Sequence, residues 1–192
     1  MIQDKFKDKS ILLASKSPRR QELLKGLGLN FTIINIDSDE TYPPELQREK
    51  ITEHISENKA NAYPSLNPNE LVITADTLVW LDGKMMGKPV DYDEAFQMIQ
   101  QMSGKTHEVF TSVTLKTFEK TVTFSDTTQV QFDEISPEEI NYYIENYKPF
   151  DKAGAYGIQE WIGYAKISQI QGCYYNVMGL PLRKLYLELE KF

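Results

Sequence analysis

Residues 71–81 read LVITADTLVWL, and they are apolar on both faces of the strand period they would adopt. A strand of that kind is a central strand in a sheet covered by helices on each side, not a half-exposed hairpin strand. The stretch is broken by Thr74, Asp76 and Thr77 and is far too short to span a membrane as a helix. Asp82-Gly83 follows at once as a hairpin-type turn.

Elements of both kinds alternate outward from this strand. Toward the N-terminus, Ile11–Ala14 reads as a short buried strand, and Ser17-Pro18 is a helix start, with a hydroxyl N-cap and proline in the first turn. That helix runs to about Lys25, where Gly26-Leu-Gly28 ends it. Phe31–Ile36 reads as a strand, Asp37–Glu40 as an acidic loop, Pro43-Pro44 as the start of a long helix reaching about Ala62, and Pro64–Asn69 as a loop. Toward the C-terminus a helix spans Asp91–Met102, with Asp91 as N-cap. Val109–Phe118 and Thr121–Phe132 alternate as a hairpin. Ser136-Pro-Glu-Glu139 is a capping box for a helix to about Tyr147. Ala165–Ile170 is a late strand, and Leu180–Glu190 a final amphipathic helix. The expected class is α/β: a mixed, largely central sheet flanked by helices.

The chain has 192 residues, which suggests one domain or one domain with two lobes. Its net charge of −7 argues against a partner bound through a nucleic-acid backbone. It leaves room for a local basic pocket around one phosphorylated ligand. The one cysteine, Cys173, fits a reducing compartment, and the charged N-terminus MIQDKFKDKS has no apolar core of a signal peptide. The expectation is a soluble cytoplasmic protein with no membrane partner.

Asp76 is the residue out of place. A lone buried carboxylate costs several kcal/mol unless paired or bound to a cation. It either caps a turn at a strand bend or serves as catalytic base or metal ligand; the clustering of perturbed carboxylates at sites favours the second. Asp37, Asp39 and Glu40 offer more carboxylate oxygen, and one of them with Asp76 would suit Mg²⁺ or Mn²⁺. His54 and His107 form no zinc motif and read as surface or packing histidines. Cations recur at Arg19, Arg20, Lys59, Lys84, Lys88 and Lys152. Lys84 reads as a solvated surface charge. Gly104-Lys105-Thr106 lacks the earlier glycine of a P-loop, since Ile99 stands there, and reads as a turn after a helix. Arg19 and Arg20 stand where free backbone N–H groups attract anions. Spacing alone leaves both a phosphate site and a pair of surface salt bridges open.

Several segments taken in order resemble the Maf-like nucleotide pyrophosphatases. They are SKSPRR (15–20), DET (39–41), Lys59-Ala60, ADT (75–77) and GKP (87–89), followed by SGKTHEVFTSV (103–113), KAGAYGIQ (152–159) and NVMGLPL (176–182). The resemblance spans nearly the whole chain, residues 1–192, as a single pyrophosphatase domain. It implies two lobes around a cleft in a Maf/ITPase-like fold, commonly a homodimer, and hydrolysis of a nucleoside triphosphate to monophosphate and pyrophosphate with Mg²⁺ or Mn²⁺. It implies phosphate contacts from Ser17, Arg19, Arg20, Lys59 and Lys88, with a further cationic contact from Lys152. Glu40 and Asp76 would hold the metal, and Asp76 would activate the attacking water.

The family divides by substrate. Arg19, Thr77 and Gln159 match the dTTP/UTP branch, whereas the branch acting on 7-methyl-GTP is expected to carry tryptophan, glutamine and glutamate there. One departure is Gln159-Glu160-Trp161-Ile162, bulkier and more acidic than the glycine-rich continuation the family leads one to expect. Two rivals stand beside this expectation: a nucleotide-binding regulator of septation that does not hydrolyse, and a pyrophosphatase for other or modified nucleotides.

Overall fold

A computed structural model describes residues 1–64 and 66–192. The loop expected over Pro64–Asn69 therefore has one residue, Ser65, outside the described set. The strands described are β1 (Ser10–Leu13), β2 (Thr32–Ile33), β3 (Glu70–Leu81), β4 (Lys84–Met86), β5 (Thr106–Lys116), β6 (Thr121–Phe132) and β7 (Ile167–Gln171). The helices are α1 (Ile2–Lys5), α2 (Pro18–Gly26), α3 (Glu49–Asn61), α4 (Tyr92–Met102), α5 (Pro137–Tyr147), α6 (Trp161–Lys166), α7 (Tyr174–Val177) and α8 (Leu182–Leu189). The strands form a mixed sheet in the order β2-β1-β3-β5-β6-β7, with β4 paired to β3.

β3 is the central strand its composition demands. Leu71–Ala75 are five consecutive buried residues, so both faces are covered there. It pairs in parallel with β1, Leu13 opposite Ile73, and antiparallel with β4. The return is made by Asp82 and Gly83, both at positive φ (50° and 81°), as a tight right-twisted hairpin requires.

The chain divides into two compact units. The first comprises residues 1–76, 111–126 and 179–192. It holds β1, β2, α1, α2, α3 and α8 and buries Leu13, Leu24, Leu71, Ile73, Leu115 and Leu189. The second comprises residues 77–110 and 127–178. Its core gathers Ile99 and Met102 of α4 with Ile140, Tyr143 and Ile144 of α5, together with Phe132, Tyr156 and Ile162. Among the described residues no helix is long and apolar enough to cross a membrane.

Three expectations are corrected. The helix expected from Pro43-Pro44 begins only at Glu49. Pro44 disfavours helical geometry at the residue before it, and Arg48, at φ 56°, breaks the chain direction before the first turn. The strand expected over Phe31–Ile36 shortens to Thr32–Ile33, whose side chains are exposed on the outermost strand. The strand expected from Ala165 starts at Ile167, because α6 takes Ala165 and Lys166. Gly163 hid that helix: a Cβ there would sit 1.8 Å from the Ile158 carbonyl oxygen, so only glycine lets the turn close.

Candidate functional site

In the first unit the site is built on the start of α2. Pro18 opens the helix, and the Ser17 hydroxyl accepts the Arg20 N–H at 3.5 Å, as the Ser-Pro pair predicts. Arg20 then ties two other segments down. Its Nε donates to the Gly179 carbonyl at 2.8 Å and its Nη1 to the Ala75 carbonyl at 2.9 Å. Arg20 is therefore a clamp on the backbone just before Asp76, a role the sequence did not suggest. Burial lowers its pKa and the neighbouring Arg19 lowers it further, while the Asp76 charge works against both. A guanidinium so placed remains a cation.

The second element is the pairing of α3 with β3. Thr74 and Asp76 lie on the same face of β3, two residues apart. Ser56 and Lys59 lie on the same face of α3, three apart. The two pairs meet as adjacent rungs: the Thr74 hydroxyl donates to the Ser56 carbonyl at 2.6 Å, and the Lys59 ammonium reaches Asp76 Oδ1 at 2.9 Å. Thr74 is fully buried, so its bond to α3 is made out of water. A ladder of hydroxyls continues below. Thr52 meets Ser112 at 2.6 Å, Ser56 meets Thr114 at 3.0 Å, and those strand residues meet Ser125 and Thr123 at 3.0 and 2.9 Å. This fixes the rotation of α3 and hence where Lys59 points. The sequence signal for it was slight: a threonine two residues before the carboxylate in an otherwise apolar run.

Lys59 also reaches Glu40 Oε1 at 2.8 Å, so two carboxylates from distant segments converge on one ammonium. Asp39, by contrast, accepts from the N–H and hydroxyl of Thr41 at 2.8 and 2.7 Å, which lowers its pKa and keeps it within its own loop. Among the described residues no group of three or more His, Cys, Asp or Glu side chains could hold a metal. The pair Glu40 and Asp76 nonetheless fits Mg²⁺ or Mn²⁺. Both are hard oxygen donors, a cationic atom already sits between them, and magnesium characteristically takes one or two carboxylates and completes its shell with water and phosphate.

In the second unit Thr77 is half-buried directly after Asp76, and Lys88 is exposed on the segment after β4. The Gly154 N–H donates to the Gly87 carbonyl at 2.9 Å, which ties KAGAYGIQ to GKP. Lys152 is buried, with its ammonium 2.8 Å from Asp151 and 3.1 Å from Glu160. In this conformation it is the counter-ion of the same Glu160 that departs from the family pattern. Tyr143 donates to the other Glu160 oxygen and accepts the Gly157 N–H at 2.9 Å. Burial, and then the hydrogen bond to Glu160, push the Tyr143 pKa far up. Gln159 presents a buried amide oxygen with no hydrogen-bond partner among the described residues. His107 is a packing histidine, its Nε2 2.7 Å from the Tyr156 hydroxyl. The P-loop decoy is the expected turn, with Gly104 at φ 68° and Lys105 paired to Asp82 at 2.7 Å.

Comparison with known proteins matches residues 10–192 to the family described as Maf-like protein. A dTTP/UTP pyrophosphatase of Bacteroides thetaiotaomicron is 53% identical over 183 residues, which is 94% of this chain and 95% of that protein. One from Flavobacterium psychrophilum is 52% identical over 190 residues, 98% of this chain and 97% of its own. One from Phocaeicola vulgatus is 54% identical over 183 residues, 94% and 95% respectively. Among solved structures, a HAM1 protein from Coxiella burnetii aligns with a TM-score of 0.42 at 15% identity over 65% of this chain and 73% of its own, too low to carry an argument.

Proposed function

The chain belongs to the Maf-like protein family, and on that premise we propose that it is a nucleoside triphosphate pyrophosphatase acting on dTTP and UTP. The observation that carries the proposal is the convergence of Glu40 and Asp76 on the Lys59 ammonium, beside the backbone that Arg20 clamps. The relatives named dTTP/UTP pyrophosphatase support the substrate class, and Arg19, Thr77 and Gln159 agree with it.

In this reading water attacks the α-phosphorus. A water oxygen–phosphorus bond forms, the bond from that phosphorus to the α,β-bridging oxygen breaks, and pyrophosphate leaves with nucleoside monophosphate as the other product. Asp76 Oδ accepts the proton of the attacking water. Glu40 and Asp76 would hold the divalent cation, which supplies charge neutralisation for the triphosphate and its leaving group. Ser17, Arg19, Lys59 and Lys88 contact phosphate oxygens, and Arg20 contributes a fixed positive charge. These cations draw the triphosphate to the site in an otherwise acidic protein. Thr77 and Gln159 read the base. The orphan Gln159 amide oxygen is an acceptor suited to the one ring N–H of thymine or uracil. Lys152 fixes the Gln159–Glu160 corner through its ion pair and adds its charge from there.

The reading takes residues 1–192 as one catalytic domain, cytoplasmic, pairing with a second copy of itself and with neither nucleic acid nor membrane. A panel of nucleoside triphosphates with Mg²⁺ or Mn²⁺ tests it. Pyrophosphate release should be fastest from dTTP and UTP and should vanish in Asp76→Asn, with the melting temperature retained. Nucleotide binding without release would instead favour a regulator of division. Faster release from modified nucleotides would move the substrate assignment within the same chemistry.

A further inference from the structure

The ammonium of Lys59 stands where a metal-dependent phosphoryl site needs its cation. It lies 2.8 Å from Glu40 Oε1 and 2.9 Å from Asp76 Oδ1, and the Lys59 and Asp76 side chains are only 14% and 17% exposed. Two carboxylates brought this close repel each other, and Asp76 is too enclosed for water to screen that fully. A neutralising charge is required, and Lys59 supplies it from a helix locked by the Thr74–Ser56 bond and the hydroxyl ladder. Lysine suits such a role: it is a point charge on a flexible four-carbon stem, able to swing between partners where an arginine fork could not.

We infer that Lys59 is the resident counter-cation of the Glu40–Asp76 pair, and that it gives up these carboxylates when a divalent cation takes them, which frees its ammonium to grip the triphosphate. The inference rests on the pyrophosphatase reading above and adds a coupling to it. A lysine bound to both carboxylates competes with the metal. The same lysine, once displaced, is a phosphate ligand. Metal and nucleotide binding then favour each other through one side chain, and the coupling is reciprocal. The carboxylate pair also keeps one cation against it when the site holds no metal, which offsets half of its charge between turnovers.

The test is a titration with Mn²⁺ alone, without nucleotide, following free Mn²⁺ by electron paramagnetic resonance. The proteins are the full chain, Lys59→Met, Lys59→Gln and Lys59→Arg. Removing a unit charge next to a divalent ion should tighten Mn²⁺ binding by about tenfold or more in the first two variants, even with strong solvent screening. Lys59→Arg keeps the charge on a less mobile fork and should bind Mn²⁺ no more tightly than the unsubstituted chain. Mn²⁺ should raise the melting temperature of Lys59→Met more than that of the unsubstituted chain, a second readout in case the variant is less stable. In turnover, Lys59→Met should raise KM for dTTP, since a phosphate contact is gone. Equal or weaker Mn²⁺ binding in both neutral variants overturns the inference, as does an unchanged KM. Pyrophosphate release by the unsubstituted chain is measured on the same preparation. If it releases pyrophosphate and the neutral variants gain no affinity, the inference alone falls. If it releases none, the functional reading falls whatever the Mn²⁺ result.

Discussion

Lowering the pH should destabilise the protein through His107, in a window set by that one side chain. His107 is 1% exposed. Its ring stands edge-on to Tyr156 at 5.3 Å and tilted to Phe132 at 5.1 Å, and its Nδ1 has no partner among the described residues. Burial pulls its pKa from 6.5 to about 4. The folded state therefore resists a proton that the unfolded chain accepts, so stability is full above pH 6.5 and is lost as pH falls toward 4. The loss is about 2 kcal/mol at pH 5 and approaches about 3 kcal/mol below pH 4. Asp39, Glu138 and Glu139, whose pKa values are lowered by hydrogen bonds, weaken the fold only as pH falls through the lower, carboxylate range. The interval from pH 8 to pH 5 thus isolates the histidine. The assay is urea unfolding at pH 8, 6.5 and 5, beside His107→Phe. The phenyl ring keeps the packing but leaves the Tyr156 hydroxyl unpaired, which costs about 1–3 kcal/mol at pH 8. The two stabilities should approach each other at pH 5. Parallel decline of both proteins would rule out His107 as the source, because the slope would then belong to other groups.

Two substitutions probe how the site is held. Thr74→Val removes the hydroxyl that ties β3 to α3 beside Asp76. It should cost about 1 kcal/mol in urea unfolding and lower kcat/KM several-fold, because Lys59 and Asp76 lose their fixed spacing. Gly154→Ala places a Cβ 3.0–3.2 Å from three atoms of the Val79 side chain at φ 68°. The two effects together should cost about 2–4 kcal/mol, read as a lower urea midpoint with an unchanged m-value.

The sequence carried the central strand, the two Ser-Pro helix starts and the Asp-Gly hairpin because each rests on local chemistry: apolar density, a hydroxyl beside an orphan N–H, a residue tolerant of positive φ. The candidate site was legible as residue types in order, and Asp76 stood out because a carboxylate in a buried strand needs a partner, which Lys59 is. The partners themselves were not legible. Arg20 looked like a phosphate ligand and is also a clamp on two carbonyls, a role that depends on Gly179, more than 150 residues away in the chain. Lys59 sits on a helix whose rotation is set by hydroxyls of β5 and β6, which no spacing reveals. Lys152 reads as a cationic contact and Glu160 as a departure from pattern, and the ion pair between them was not legible from either. The short helices α1, α6 and α7 escaped because four to six residues are too few for a period to register.

The most direct test of the account is the fate of the attacking oxygen. With dTTP, Mg²⁺ and water enriched in ¹⁸O, hydrolysis directed by Asp76 at the α-phosphorus places the label in dTMP and leaves pyrophosphate unlabelled, as mass spectrometry of both products would register. Label in pyrophosphate, or release of orthophosphate with dTDP, would mean attack at another phosphorus and would contradict the assignment of the site.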